Sequence, residues 1–533
     1  MDVDYLSGAP ALLQNVFANF ALDTGRVWCT KDGVTYTYAY MDAAANRFAR
    51  ALLDDLGIVK GDIVAVYMAT SIEYFVSMFA IHRIGAVYLP CSNNFTEDEL
   101  SYQFTHAEVR AVISDAAHSD LAKKAIPDVA HRTCPLIACG DDVIDGTLSF
   151  NELVATKSSL PLDESLGVAL DDLAIMIYTS GTTARPKGVM LSHGNLAAEA
   201  HTMAKHLGWR DDVRFLHYFP MYHGMGGLAG VAPAILTGAS LAIVPKFSAS
   251  TFGQMLVEQN ATFASLNATH ASVILRNPET EFDSAHGARR MMLGTSIGTK
   301  EWQAFEDRFN TRLIGMFGLT ETLGLNIAGE AFGPRKIGSA GRVVRGYTLR
   351  IVNDEGEPVL VNEPGEALFQ THQRYGLAMG YYKDPENTRE TFGEWLSTGD
   401  VLRADEDGFV WFVGRKKDMI KRSGFNVAAA EVERVILEVP GVIDVAVVGT
   451  PDAIREEAIV AFVVPESPDA VSRQAVFDKC AAMLSDYKRP QFVEFIDALP
   501  VSFIGKVERK VLREIALKYR IDSLERKPID FQG

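Results

Sequence analysis

The chain has 533 residues, 48% hydrophobic and 22% charged, which is the balance of a globular protein too long for one core and expected to divide into at least two domains. A formal net charge of -17 argues against nucleic acid or an anionic membrane as the main partner, so any anionic ligand must be held by local groups against the global field. Cys29, Cys91, Cys134, Cys139 and Cys480 form no CxxC pair and no metal-ligand spacing, which fits buried thiols in a reducing cytoplasm.

The first residues, Met1-Asp2-Val3-Asp4, are acidic and lack the basic-then-apolar layout of a signal peptide. Residues 1–170 then alternate between helix and strand. Tyr36 to Leu56 and Ile72 to Ile84 read as helices; Ile63 to Tyr67, Ala86 to Pro90 and Ala111 to Ile113 read as strands. That βα alternation predicts a doubly wound, mostly parallel sheet, giving an α/β fold.

A buried strand, Leu173 to Tyr178, leads into Thr179-Ser180-Gly181-Thr182-Thr183-Ala184-Arg185-Pro186-Lys187-Gly188. Small hydroxyl residues, two glycines and one lysine suit a polyphosphate: backbone N–H groups form an anion nest, hydroxyls donate, and Lys187 neutralises charge. The spacing is not that of a Walker A loop, because Lys187 precedes a glycine instead of following one. Val189-Met190-Leu191 returns from the loop, Ser192-His193-Gly194 reads as a turn, and Asn195 opens a helical pattern.

Gly224 to Val244 is uncharged and long enough to span a bilayer, but its glycines, Pro233 and the Thr237-Gly238 turn break it into a helix and a strand, so no integral membrane segment is expected. Just before it, His223 sits in an apolar, glycine-flanked turn. Met291 to Gly294 is a strand entering the small-residue turn Gly294-Thr295-Ser296. In Gly315-Met316-Phe317-Gly318-Leu319-Thr320-Glu321 an aromatic between glycines can stack on a base, while Thr320 and Glu321 can reach phosphate and Mg²⁺. Asp400 is read at the end of a strand, and the Asp407-Gly408 turn makes a hairpin that brings Phe412 and Arg415 near the same ligand.

The charged segment Gly414 to Asp418 is placed as a linker. The domains expected are residues 1–415 and 416–533. The second has an α+β pattern, with strands at Val442 to Val448, Ala458 to Val464 and Phe492 to Ile496, and helices at Ala430 to Glu438 and Arg473 to Leu484.

The loop at 179–188 resembles the phosphate loop of the adenylate-forming superfamily, which includes acyl-CoA synthetases, luciferases and peptide-synthetase adenylation domains. The family usually has Gly where this chain has Ala184, and Tyr where it has Phe317, which keeps stacking and loses a hydroxyl. The resemblance implies a large N-terminal domain of doubly wound sheets with a β-barrel-like part, and a small mobile α+β C-terminal domain hinged near Lys417. Within the superfamily, Asp452 to Ile459, Lys246-Phe247-Ser248-Ala249 and Met419-Ile420-Lys421-Arg422 are similar to crotonobetaine/carnitine–CoA ligases.

By resemblance, ATP or AMP would be bound by Thr179, Ser180, Gly181, Thr182, Thr183 and Lys187, by Gly294, Thr295 and Ser296 along the adenine, and by Gly315, Met316, Phe317, Gly318 and Thr320. Asp400 would take the ribose hydroxyls, with Phe412 and Arg415 close by. Glu321, and less directly Thr182, would hold Mg²⁺. His223, Asn267, Thr269, Thr295 and Leu323 are the acyl-pocket candidates. Lys506 would bridge the attacking carboxylate and the α-phosphate during adenylation. Lys421, Ser423, Gly424 and Phe425 would line the CoA tunnel, with Lys421 serving the thioester-forming step.

The implied activity is an ATP-dependent carboxylate–CoA ligase using ATP, Mg²⁺ and CoA, in the cytoplasm, with a homodimer common among relatives. A stand-alone enzyme loading a carrier-protein phosphopantetheine remains an alternative, as does a non-catalytic nucleotide-binding relative. The latter would lack Lys506, Glu321 or Lys187, and all three are present.

Overall fold

The computed structural model describes residues 11–126, 134–140, 144–163, 166–179, 186–222, 224, 230–294, 297–422, 425–501 and 507–519. The strand Ile63–Tyr67 is buried along its whole length, as a sheet covered on both faces requires. It sits near the centre of an eight-stranded sheet ordered Gly380–Tyr381, Lys187–Ser192, Leu173–Thr179, Val87–Pro90, Ile63–Tyr67, Ala111–Asp115, Leu136–Cys139, Leu148–Ser149. Neighbours from Leu173–Thr179 onward are parallel, and the two strands at the other edge are antiparallel.

A second, nine-stranded sheet has the order Arg342–Val343, Leu325–Ala328, Arg312–Gly318, Arg290–Gly294, Phe263–Leu266, Arg214–His217, Ser240–Ile243, Val27–Lys31, Val34–Thr37. The helix Ile72–Arg83 is buried continuously from Tyr74 to Ile81, as expected of a helix enclosed by core on all sides. Its Phe75 and Phe79 rings lie 6.1 and 5.7 Å from Trp28, so the helix packs on a strand of the second sheet.

Several sequence expectations change here. Val27–Lys31, a strand for which the sequence carried no expectation, joins the second sheet beside the distant Ser240–Ile243, with Cys29 opposite Leu241. The first long helix begins at Tyr38, capped by Thr37, and closes in a π-helical turn at Ala51–Asp55. Ser192-His193-Gly194 is no turn: Ser192 is an N-cap, its side chain accepting from Asn195 N–H while Asn195 Oδ1 accepts from Ser192 N–H at 2.8 Å, and the helix runs His193–Leu207. The barrel-like part is an open four-stranded sheet, ordered Tyr347–Val352, Gly365–Thr371, Leu396–Ala404, Val410–Arg415. Asp400 lies inside Leu396–Ala404 and not at its end, since the buried pair Val401-Leu402 carries the strand past the carboxylate.

The uncharged stretch after residue 224 contains the helix Val231–Thr237 and the strand Ser240–Ile243, and among the described residues no helix is long and apolar enough to cross a membrane. By internal contacts the chain forms two compact units. One comprises Met1–Leu349, Phe369–Ser397 and Asp407–Val410; the other comprises Arg350–Leu368, Thr398–Glu406 and Trp411–Gly533. In the second, the antiparallel pair Val442–Asp452 and Glu456–Pro465 carries a core of Val447, Ile459, Ala461 and Val463 against the helices Ala429–Leu437 and Arg473–Met483.

Candidate nucleotide site

The stems of the phosphate loop are the antiparallel strands Leu173–Thr179 and Lys187–Ser192, in a register that sets Thr179 opposite Lys187 and Tyr178 opposite Gly188. The loop mouth is braced from outside. Tyr102 donates its hydroxyl to Pro186 O at 3.1 Å, and Tyr178 hydroxyl meets His106 Nδ1 at 2.6 Å. Burial, aided by Lys383, holds the His106 imidazole below its ordinary pKa, so the neutral ring can accept the tyrosine proton.

Lys187 is held in turn. Its ammonium bonds Asn387 Oδ1 and stands over the Tyr381 ring, 5.1 Å from the centroid. The Tyr381 hydroxyl donates to Glu321 Oε1 at 2.8 Å, and Ala378 N–H donates to the Glu321 carbonyl at 2.8 Å. Strand Gly380–Tyr381 pairs with Lys187–Ser192, Tyr381 opposite Val189, which fixes the lysine, the tyrosine and the carboxylate relative to one another. Asn195 Nδ2 donates to the carbonyls of Tyr375 and Leu377 and so anchors the segment that carries Tyr381.

Tyr381 and Asn387 escape a motif-by-motif reading of the sequence. The available signal is Asp384-Pro385, an N-cap followed by proline at the first helical position, which opens the helix Pro385–Thr391 and aims Asn387 at the lysine.

Glu321 sits in a 3₁₀ turn, Thr320–Thr322, that follows the strand Arg312–Gly318. That strand runs parallel to Arg290–Gly294, so Gly294 lies opposite Met316 and Leu293 opposite Gly315. Gly315 has no room for a side chain, because a Cβ there would overlap Ser339 O. Phe317 is buried and its ring lies 6.3 Å from Phe369, at 23° between planes. Leu323 is buried with φ +62°, closing the turn through its N–H to Thr320 O at 2.9 Å. Asn267 is exposed, and its side chain caps the helix Ala268–Arg276 by accepting His270 N–H at 2.7 Å; Thr269 is exposed in the same helix.

In the second unit, Asp400 is fully buried and its Oδ1 lies 2.6 Å from Arg415 Nε, so two of the expected nucleotide residues pair with each other. Phe412 is half-buried on the adjacent strand Val410–Arg415. Lys417 lies in the 3₁₀ turn Lys416–Asp418; its carbonyl accepts from Arg513 at 2.8 Å, and Asp418 pairs with Arg513 at 2.9 Å. Lys421 is exposed on a hairpin of Met419–Arg422 with Phe425–Ala428, and its N–H donates to Glu457 at 2.6 Å. Ser180, Gly181, Thr182, Thr183, His223, Thr295, Ser296, Ser423, Gly424, Lys506 and the side chain of Phe425 lie outside the described residues.

Among the described residues no cluster of three or more His, Cys, Asp or Glu could hold a metal by itself. Beside a nucleotide, Mg²⁺ is usually held through one or two carboxylates and substrate phosphates. Glu321 has one oxygen on Tyr381 and a second to offer.

A hairpin mouth at Thr179 and Lys187, with the lysine and the Glu321 carboxylate both held by Tyr381, is the arrangement that the comparisons can be set against. A family model described as AMP-binding enzyme matches residues 16–382, and one described as AMP-binding enzyme C-terminal domain matches 431–506. The chain belongs to the AMP-binding enzyme family. It is 31% identical over 483 residues to a crotonobetaine/carnitine–CoA ligase of Salmonella typhi, a match covering 90% of this chain and 93% of that one. Among solved structures it is similar to the anthranilate CoA ligase AuaEII in complex with anthranoyl-AMP, with a TM-score of 0.85 and 26% identity over 96% and 98% of the two chains. It is also similar to ATP-bound MatB from Rhodopseudomonas palustris, with a TM-score of 0.82 and 28% identity over 95% and 99%.

Proposed function

We propose that the protein is an ATP-dependent carboxylate–CoA ligase. It activates a carboxylic acid as acyl-AMP and passes the acyl group to the thiol of CoA. The observation that carries this is the Lys187–Tyr381–Glu321 linkage beside the Thr179/Lys187 loop mouth, in a chain whose relatives are named as CoA ligases.

In the first step a carboxylate oxygen bonds the α-phosphorus and the bond to pyrophosphate breaks. Two anions approach each other, so positioning and charge neutralisation dominate the barrier. Lys187 supplies a fixed ammonium whose position is set by Asn387 and the Tyr381 ring. Glu321 would hold Mg²⁺, which screens the phosphate oxygens and eases departure of pyrophosphate. In the second step the CoA sulfur bonds the acyl carbon and AMP leaves.

Lys506 serves the first step and the Lys421–Gly424 hairpin the second, exchanged by rotation near Lys417. Asp400 would take the ribose hydroxyls, with its partner Arg415 at 2.6 Å and Phe412 on the adjacent strand Val410–Arg415. A reducing cytoplasm suits the four buried thiols Cys29, Cys91, Cys139 and Cys480.

The test is pyrophosphate release across a panel of carboxylic acids, with ATP-Mg²⁺ and with or without CoA. Turnover that is slow until CoA is added supports the ligase. A stoichiometric burst that CoA does not relieve assigns the acceptor to a carrier-protein thiol.

A further inference from the structure

Helix Glu97–Ala107 opens on a capping box, Thr96 with Glu99, and buries Leu100, Gln103, Phe104 and Ala107. Those four follow the 3.6 period and are enough to seat the helix. Tyr102 and His106 lie one turn apart on the neighbouring face, half-buried, their rings stacked at 5.4 Å and 28°. Each directs a polar atom at one stem of the phosphate-loop hairpin. Tyr102 donates to Pro186 O on the return side, and His106 Nδ1 meets the Tyr178 hydroxyl on the entry side. The outermost paired positions of the hairpin are Thr179 and Lys187, so both contacts fall one residue from the mouth.

His106 has a second attachment. Lys383 Nζ donates to its carbonyl at 3.2 Å and pairs with Glu108 at 2.9 Å. The Tyr382 ring stands 5.8 Å from the imidazole, edge to face, and Tyr382 N–H donates to Gly188 O at 2.8 Å. One histidine therefore touches both the loop stem and the segment whose Tyr381 holds Lys187 and Glu321. Packing alone requires no nitrogen here, since a phenylalanine would stack on Tyr102 as well. What the imidazole adds is a partner for the Tyr178 hydroxyl, 2.6 Å away. Without it, the entry stem would be held by its strand ladder alone.

We propose that His106 is a positioning residue for the ATP triphosphate, holding through Tyr178 the stem from which the phosphate loop leaves the sheet. The inference rests on the adenylation reading and adds to it a residue that acts through another.

The experiment is a double-mutant cycle in the ATP–pyrophosphate exchange assay. Tyr178→Phe deletes one oxygen, and His106→Phe keeps a stacked ring while removing the nitrogen. Each is expected to raise the KM of ATP about 3- to 10-fold, the range of one hydrogen bond, with the KM of the acid unmoved. The double variant should be no worse than the worse single, because both remove the same contact. His106→Asn places an amide oxygen on Cγ where Nδ1 stood and should restore most of the ATP affinity. Thermal unfolding is followed in parallel, so that a lowered Tm is read separately from the KM of ATP. Three results each overturn the proposal: an unchanged KM of ATP in both singles, losses that multiply in the double variant, or no recovery with asparagine. No exchange with any acid in wild-type protein refutes the ligase reading itself.

Discussion

The buried carboxyl of Glu199 makes a prediction about stability that needs no substrate. Burial pushes its pKa from 4.5 up to about 8, opposed only by the Leu325 N–H. The folded protein thus holds a proton that the unfolded chain releases near pH 4.5. Where the folded state binds more protons, stability falls as pH rises, so this group's contribution is fully present below about 4.5 and is lost between there and about 8. At about 1.4 kcal/mol per pH unit, the full window is worth roughly 5 kcal/mol. Glu199→Gln keeps the acceptor and removes the titration. For a unit of this size, unfolding entropy near 2 cal/mol/K per residue converts 1 kcal/mol to roughly 1 °C. Thermal unfolding of the two proteins should therefore nearly coincide at pH 4.5 and diverge progressively, the variant melting about 5 °C higher by pH 8.5. Parallel Tm–pH curves would refute the idea that the carboxyl is held neutral. A wild type that gains relative stability with pH would mean that a cation pairs with it.

Three further outcomes test the site. Tyr381→Phe removes the hydroxyl on Glu321 but keeps the ring under Lys187; losing a hydrogen bond to a charged group, worth about 1.5–3 kcal/mol, should raise the Mg²⁺ and ATP requirement of pyrophosphate exchange by roughly 10- to 100-fold, with the KM of the acid unmoved. Gly315→Ala forces a Cβ onto Ser339 O and should destabilise the first unit by about 1–3 kcal/mol, read as a lowered Tm; an unchanged Tm would show that the two backbones can part without cost. Lys506→Ala should abolish acyl-adenylate formation yet spare thioester formation from supplied acyl-adenylate, and Gly424→Trp should do the reverse. Equal loss of both half-reactions in either variant sinks the division of labour.

Local pattern carried a good deal of the fold. The unbroken apolar run Ile63–Tyr67 and the helix from Ile72 are visible as composition and period, and the structure places both in the interior. The strands Leu173–Thr179 and Lys187–Ser192 flank the phosphate loop where their apolar runs put them. What sequence could not show is partnership at a distance. Nothing local tells Val27–Lys31 that it will lie beside Ser240–Ile243.

The same limit hid Tyr381, whose significance lies in reaching Glu321 and Lys187 at once. Glu199 was more accessible. Leu196 and Met203 lie three back and four on along the helix, both buried, so the 3.6 period puts the glutamate on their inner face. Asp400 was found through resemblance, but its burial against Arg415 comes from the hairpin register, which no single motif encodes.

The pairing of Tyr381 with Val189 also sets an order of events during synthesis. Lys187 and Asn387 are 200 positions apart, and Tyr381 is 60 beyond Glu321, so every other part of the phosphate-loop sheet emerges from the ribosome first. The entropy of closing so long a loop grows slowly, by about 0.6 kcal/mol per doubling, so the last strand adds little energetic burden by arriving late. Yet until it arrives, the lysine and the carboxylate have no common support. A nascent chain ending before residue 380 can bury its parallel strands while Lys187 and Glu321 still await the two-residue strand Gly380–Tyr381 that joins them.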